Sequence, residues 1–216
     1  MKPRRNLTLL AAIVVFAVGG VAVRAFALSY PLSSTAIRDA YFAGNRNDEQ
    51  TGEFLAQYVH RLPMPQSGPY VEEIGIDTPF LQIARQSRVR ANYFAPDAVE
   101  EFQNKPMSFR VYVDIVLTAS YSPIPSSTAP GNYWWVPDFW NDFKVQLEQD
   151  GDGIPPARVI GGPLYSYGDG EIPIVTGARI ELIYNPEKIE SEATRVVVLT
   201  PDGQTVETTF NLAKLQ

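Results

Sequence analysis

"FRVYVDIVL", residues 109–117, is the clearest strand pattern in the chain. Phe109, Val111, Val113, Ile115 and Leu117 alternate with Arg110, Tyr112 and Asp114, and a period of two puts these sets on opposite faces of a strand. One face is dry and the other wet, so a second layer must cover the dry one.

The same alternation recurs downstream. "FKVQLEQ" turns Phe143, Val145 and Leu147 inward, and "ARIELIY" does so with Ile180, Leu182 and Tyr184. "RVVVL", residues 195–199, is almost wholly apolar and reads as a central strand. "TPDGQ" follows as a turn, with proline at its second position and Gly203 where φ is positive. "TVETTFNL" returns with Val206, Thr208, Phe210 and Leu212 on one face, which closes a hairpin. Short alternating strands without a recurring strand–helix unit predict a mainly β chain. The expected form is an antiparallel two-sheet sandwich of immunoglobulin-like topology over residues 70–216. "PDAVEEFQNK" is expected to form a single helical insertion into it.

Upstream, residues 28–62 have a helical period and read as a two-helix arm. "SSTAIRDAYFAG" begins with serine caps, carries Ile37, Tyr41 and Phe42, and is expected to stop at Gly44. "NDEQTGEFLAQYVHRL" begins with acidic caps, aligns Phe54, Leu55, Tyr58 and Val59, and places His60 at the helix end. "PMPQSGP", residues 63–69, is a proline-rich linker in which no helix continues.

The N-terminus carries an address. "MKPRRN" is basic, and residues 7–23 form an apolar run of 17 residues interrupted only by Thr8 and Gly19-Gly20. Ala25-Phe26-Ala27 supplies the small-x-small site of a signal peptidase, so residues 1–27 read as a signal peptide, with an uncleaved anchor as the rival reading. Basic residues before the run send the remainder across the membrane in either case. The protein is therefore expected to be exported, in the periplasm, at the cell surface or secreted. Its only membrane contact would be through residues 7–23, if they stay.

The whole chain has 18 basic and 24 acidic residues, a net charge of −6. Without residues 1–27, 14 basic residues face the same 24 acidic ones, giving −10. Such a field repels nucleic acid, and none is expected as a partner. Arg85, Arg88 and Arg90 in "RQSRVR" form the densest basic group and read as the wet face of a strand. The chain has no cysteine, which removes disulfides, thiol nucleophiles and thiolate metal sites.

Catalytic signatures are missing from the sequence. His60 is the only histidine, so a multi-histidine metal site cannot form, and no G-x-S-x-G elbow accompanies it. "EQDGDGIP" begins like a calcium loop with Asp150 and Asp152, but Val159 stands where the bidentate glutamate belongs, so a simple turn is the better reading. Glu72-Glu73, Glu100-Glu101 and the pair Asp138 and Asp142 lack a wider constellation for glycoside hydrolysis. No cofactor is expected.

"NYWWVPDFWNDF", residues 132–143, holds all three tryptophans. Trp134, Trp135 and Trp140, with Asp138, are the candidate binding residues. Three uses compete for them. They can seal a seam beneath the helical arm, anchor a partner protein of the envelope, or stack on sugar rings while Asp138, Asn141 and Asp142 bond hydroxyls. A glycan site needs at least two of the indoles exposed and coplanar. The expected function is an exported, non-enzymatic binding or assembly module, with a carbohydrate-binding module as the alternative.

Overall fold

A computed structural model describes residues 30–65, 68–105, 107–118, 138–167 and 173–215. Among the described residues the chain is mainly β, with two antiparallel sheets and four α-helices. Among the described residues no helix is long and apolar enough to cross a membrane, and the run at 7–23 lies outside them.

Helix α1 spans Ser34–Asn45, and its first turn is closed by Ser33, whose hydroxyl accepts from the Ala36 N–H at 3.1 Å. Ile37, Ala40, Tyr41 and Gly44 form its buried stripe. The helix does not stop at Gly44. It continues one residue further, because Gly44 is where α1 touches a neighbouring helix rather than where the chain turns. Asn47 takes the left-handed conformation instead, at φ 50°.

Helix α2, Glu49–Ala56, is capped by Asp48, which accepts from the Thr51 N–H at 2.8 Å. It ends earlier than its sequence pattern implies. Val59–Arg61 form strand β1, a short edge strand paired with β2 (Tyr70–Asp77), in which His60 lies opposite Ile74. The open edge of β2 offers a hydrogen-bond ladder to "VHR", and that ladder outweighs continued helix.

Between β2 and strand β3 (Phe109–Val116) the chain inserts two helices, not one. Helix α3, Pro79–Val89, was expected as strand around its arginines. Its start is well specified: Thr78 accepts from the Leu81 N–H at 3.1 Å, and Pro79 occupies the first turn, where no N–H is needed. Phe80, Ile83, Ala84 and Ser87 then recur at helical spacing and are all buried. Helix α4, Ala95–Asn104, is the expected insertion; Ala98 and Phe102 face inward, and the Asp97 carboxylate accepts from the Phe94 N–H at 2.8 Å.

The remaining strands are β4 (Lys144–Gln149), β5 (Asp152–Ile154), β6 (Arg158–Tyr167), β7 (Pro173–Tyr184), β8 (Ala193–Leu199) and β9 (Thr205–Asn211). One sheet has the order β1-β2-β3-β7-β6, and the other β5-β4-β8-β9. Consecutive pairs alternate between the sheets: β2 and β3, then β4 and β5, then β6 and β7 back in the first, then β8 and β9.

Both sheets feed one core. Phe109, Val111, Val113 and Ile115 from β3 are fully buried with Leu147 from β4 and Val196 and Val198 from β8. Burial of each such side chain stabilises by about 1.5–3 kcal/mol. A second core joins α1, α3 and α4 through Ile37, Tyr41, Phe80, Ile83 and Phe102. Phe54 of α2 connects the two cores, with ring contacts to Tyr58 at 5.3 Å and Phe80 at 5.9 Å. The arm is thus half of a helical cap whose other half is the insertion between β2 and β3.

Candidate functional site

The tryptophan segment divides at its one described indole. Residues 139–142 form a single 3-10 turn, in which Trp140 is buried and Asp138, Asn141 and Asp142 are exposed. Trp140 packs into the core shared by the two sheets, and its indole rests on Gly161 of β6. It meets the sheets and not the helical arm, because α1 buries its stripe on α3 and α4. The carboxylates of Asp138 and Asp142 stand on the outer side of the turn from the indole they flank in sequence. Trp134 and Trp135 lie outside the described residues. A glycan platform would therefore have to use both of them.

"DGDG" is a tight hairpin turn. Asp150 and Gly151 have φ values of 49° and 86°, and Gln149 pairs with Asp152 across them, which is the pattern of a type I′ turn. Asp150 and Asp152 are exposed, and among the described residues no group of three His, Asp or Glu side chains is arranged to hold a metal ion. Glu72 is exposed, and Glu73 bonds the Arg61 guanidinium at 3.1 Å. Glu101 bonds Arg90 at 2.6 Å.

The arginines of "RQSRVR" do not form one patch. Arg85 contacts Asp77 at 3.4 Å, Arg88 donates to the side-chain oxygen of Asn47 at 2.8 Å, and Arg90 lies 4.2 Å from the Tyr93 ring centre while bonding Glu101. Arg85 and Arg88, three positions apart, share one side of α3, whereas Arg90, just past its end, turns to Tyr93 and Glu101.

The most organised polar constellation is on the outer face of the larger sheet. Tyr112 of β3 lies opposite Gly75 of β2, and its ring covers the space that a side chain there would take. Arg179 stacks 4.6 Å above that ring and holds Asp114 through two bonds of 2.6 Å, the bidentate fork that guanidinium and carboxylate form best. Arg110 reaches Glu181 at 3.2 Å. At the sheet's end Asp77 is nearly enclosed. Burial pushes its carboxyl up to about 6, while Arg85 and Arg110 pull it back. Burial also raises the Tyr112 phenol above its usual range.

A different surface stands out for its apolarity. Among the described residues nine large hydrophobic side chains are exposed, and four of them, Val159, Ile160, Tyr165 and Ile174, sit on the hairpin β6–β7. Among the described residues β6 is also an edge strand, with no neighbour beyond it. The other edges are guarded: β1 and β5 are three residues long, and β9 shows Thr205, Glu207 and Thr209 to solvent. Strand β6 has ten residues and only Arg158 is charged; Pro163 and the bulge at Leu164/Tyr165 interrupt it near its middle. The sequence signal for this edge was "RVIGGPLYSY", apolar yet without alternation. No protein family, curated protein or solved structure matches the chain.

Proposed function

We propose that this chain is an exported, non-enzymatic binding or assembly module of the cell envelope, built as an immunoglobulin-like β-sandwich. The strand order supports the fold reading. Taking β2, β3, β7 and β6 as A, B, E and D, and β5, β4, β8 and β9 as C′, C, F and G, reproduces the two sheets of that architecture. The departures are the extra edge strand β1 and the helices in the A–B connection.

The single observation that carries the binding role is the long apolar edge at β6–β7. Among the described residues no strand adjoins the outer side of β6 beside exposed Val159, Ile160 and Tyr165, and such an edge is what an added strand uses: main-chain bonds give affinity, and alternate side chains give selectivity. The basic n-region, apolar run and Ala25-Phe26-Ala27 site support export.

Site-specific photo-crosslinking in the native cells tests both parts. A crosslinker replacing Ile174 is expected to trap a discrete envelope protein, while one replacing Glu207 on β9 is not, and the adduct should be accessible to protease added outside the cytoplasmic membrane. Equal labelling from both positions, or a protein retained in the cytoplasm, overturns the proposal.

A further inference from the structure

Two adjoining cavities run along the outside of the helical cap, well away from β6. The first, about 560 Å³, lies between α2 and the outer face of the larger sheet, lined by Leu55, Ala56, Val59, Arg61, Arg85 and Tyr112. The second, about 410 Å³, is lined by Leu55, Arg85, Gln86, Arg88 and Val89. Because Leu55 and Arg85 belong to both, they form one groove with three arginines along it.

Its charge is out of character for the chain. Three guanidinium groups open onto the groove, and Glu73 is the one acidic residue in its lining. None of the three is saturated. Arg61 is 82% exposed and held by a single bond to Glu73; Arg85 is 38% exposed, meets Asp77 at 3.4 Å and lies 5.9 Å from the centre of the Tyr112 ring. Among the described residues Arg88 has no carboxylate partner, only the neutral amide of Asn47. Each guanidinium has five N–H donors, so most of these donors remain available to a ligand. Between them Leu55, Ala56, Val59 and Val89 supply apolar wall; Val89 is 79% exposed.

We infer that this groove binds an extended acidic segment of a partner protein, its carboxylates on Arg61, Arg85 and Arg88 and its apolar side chains against Leu55 and Val89. Charge complementarity selects the carboxylates, and the interleaved apolar wall favours peptide over a bare polyanion. The net negative charge of the rest of the domain acts against acidic peptide and nucleic acid alike, so the choice between them rests on the apolar wall. This site is independent of the β6–β7 edge, and neither stands or falls with the other.

The test is fluorescence anisotropy of the full-length chain with a labelled decapeptide of alternating glutamate and leucine, beside its glutamine–leucine counterpart and a ten-nucleotide single strand. The acidic peptide is expected to bind, to weaken as salt is raised, and to lose about tenfold or more in affinity for the Arg61→Gln, Arg88→Gln double variant. Both residues are on the surface with one side-chain partner each, so the variant keeps its fold, which its unchanged melting curve verifies. The inference is overturned by no binding, by equal binding of the glutamine peptide, by equal affinity in the double variant, or by an oligonucleotide that binds as tightly.

Discussion

The indole of Trp140 lies against the backbone of Gly161, so close that a methyl group at Gly161 would overlap the indole Cδ1 and Nε1. The contact joins the turn at 139–142 to the edge strand of the opposite sheet and closes that side of the core. Trp140→Ala should cost about 3 kcal/mol or more by leaving a cavity. Gly161→Ala should cost about 2 kcal/mol by overfilling the same space. Urea denaturation of both variants checks this, and a Gly161→Ala protein as stable as the parent would show that the indole can step aside.

Gly44 sets two effects of opposite sign against each other. Alanine within a helix is worth about 1 kcal/mol over glycine. Yet a Cβ at Gly44 would run into the Ala84 carbonyl and the Ser87 hydroxyl where α1 crosses α3, and backbone cannot give way cheaply. The crossing should win. Gly44→Ala is expected to destabilise the fold by a net of about 2 kcal/mol, read as a lowered melting temperature, whereas a raised melting temperature would mean that α1 and α3 separate freely.

Asp77 makes stability depend on pH in the direction opposite to an ordinary ion-paired carboxylate. Its carboxyl titrates at about 6 in the fold, against about 3.9 in the unfolded chain. Between those values the folded chain binds the proton more tightly, so this group's contribution declines as pH rises and levels off above about 6. The decline amounts to about 3 kcal/mol. Asp77→Asn should remove it, so that the variant gains on the parent between about pH 4 and pH 7. Parallel stability curves for the two proteins across that range would contradict the assignment.

The β6–β7 edge should be replaceable without harm to the fold. Ile174 is 52% exposed, and Ile174→Lys is expected to change unfolding free energy by no more than about 0.5 kcal/mol. The lysine should also suppress edge-to-edge association, read by light scattering during slow heating. Unaltered scattering would indicate that association uses another surface.

Much of the β architecture was legible because it is written in a period of two. Phe109, Val111, Val113 and Ile115 have no polar residue among them on their face, and all four are buried as that pattern requires. The hairpin of β8 and β9 was equally legible, since Gly203 at φ 83° sits at the turn position that favours glycine. Helix α3 replaces the strand expected there, although Thr78-Pro79 and the stripe Phe80, Ile83, Ala84 and Ser87 announce a helix. Three arginines there resemble the polar side of a strand, and charge spacing alone does not separate the two periods. The polar network was not legible at all. Arg179 and Asp114 are 65 residues apart, and only the register of β3 with β7 makes them neighbours.

Which faces are dry, where the chain turns, and the basic and apolar N-terminal run can be read along the chain, because each of these depends on residues within a few positions of one another. The tertiary structure alone decided that Trp140 seals the core against Gly161, that the arm joins α3 and α4 in a helical cap, and that Arg61, Arg85 and Arg88 line one groove. Those meetings depend on how distant segments cross, and side-chain periodicity tells each segment only that it must be covered, not by what.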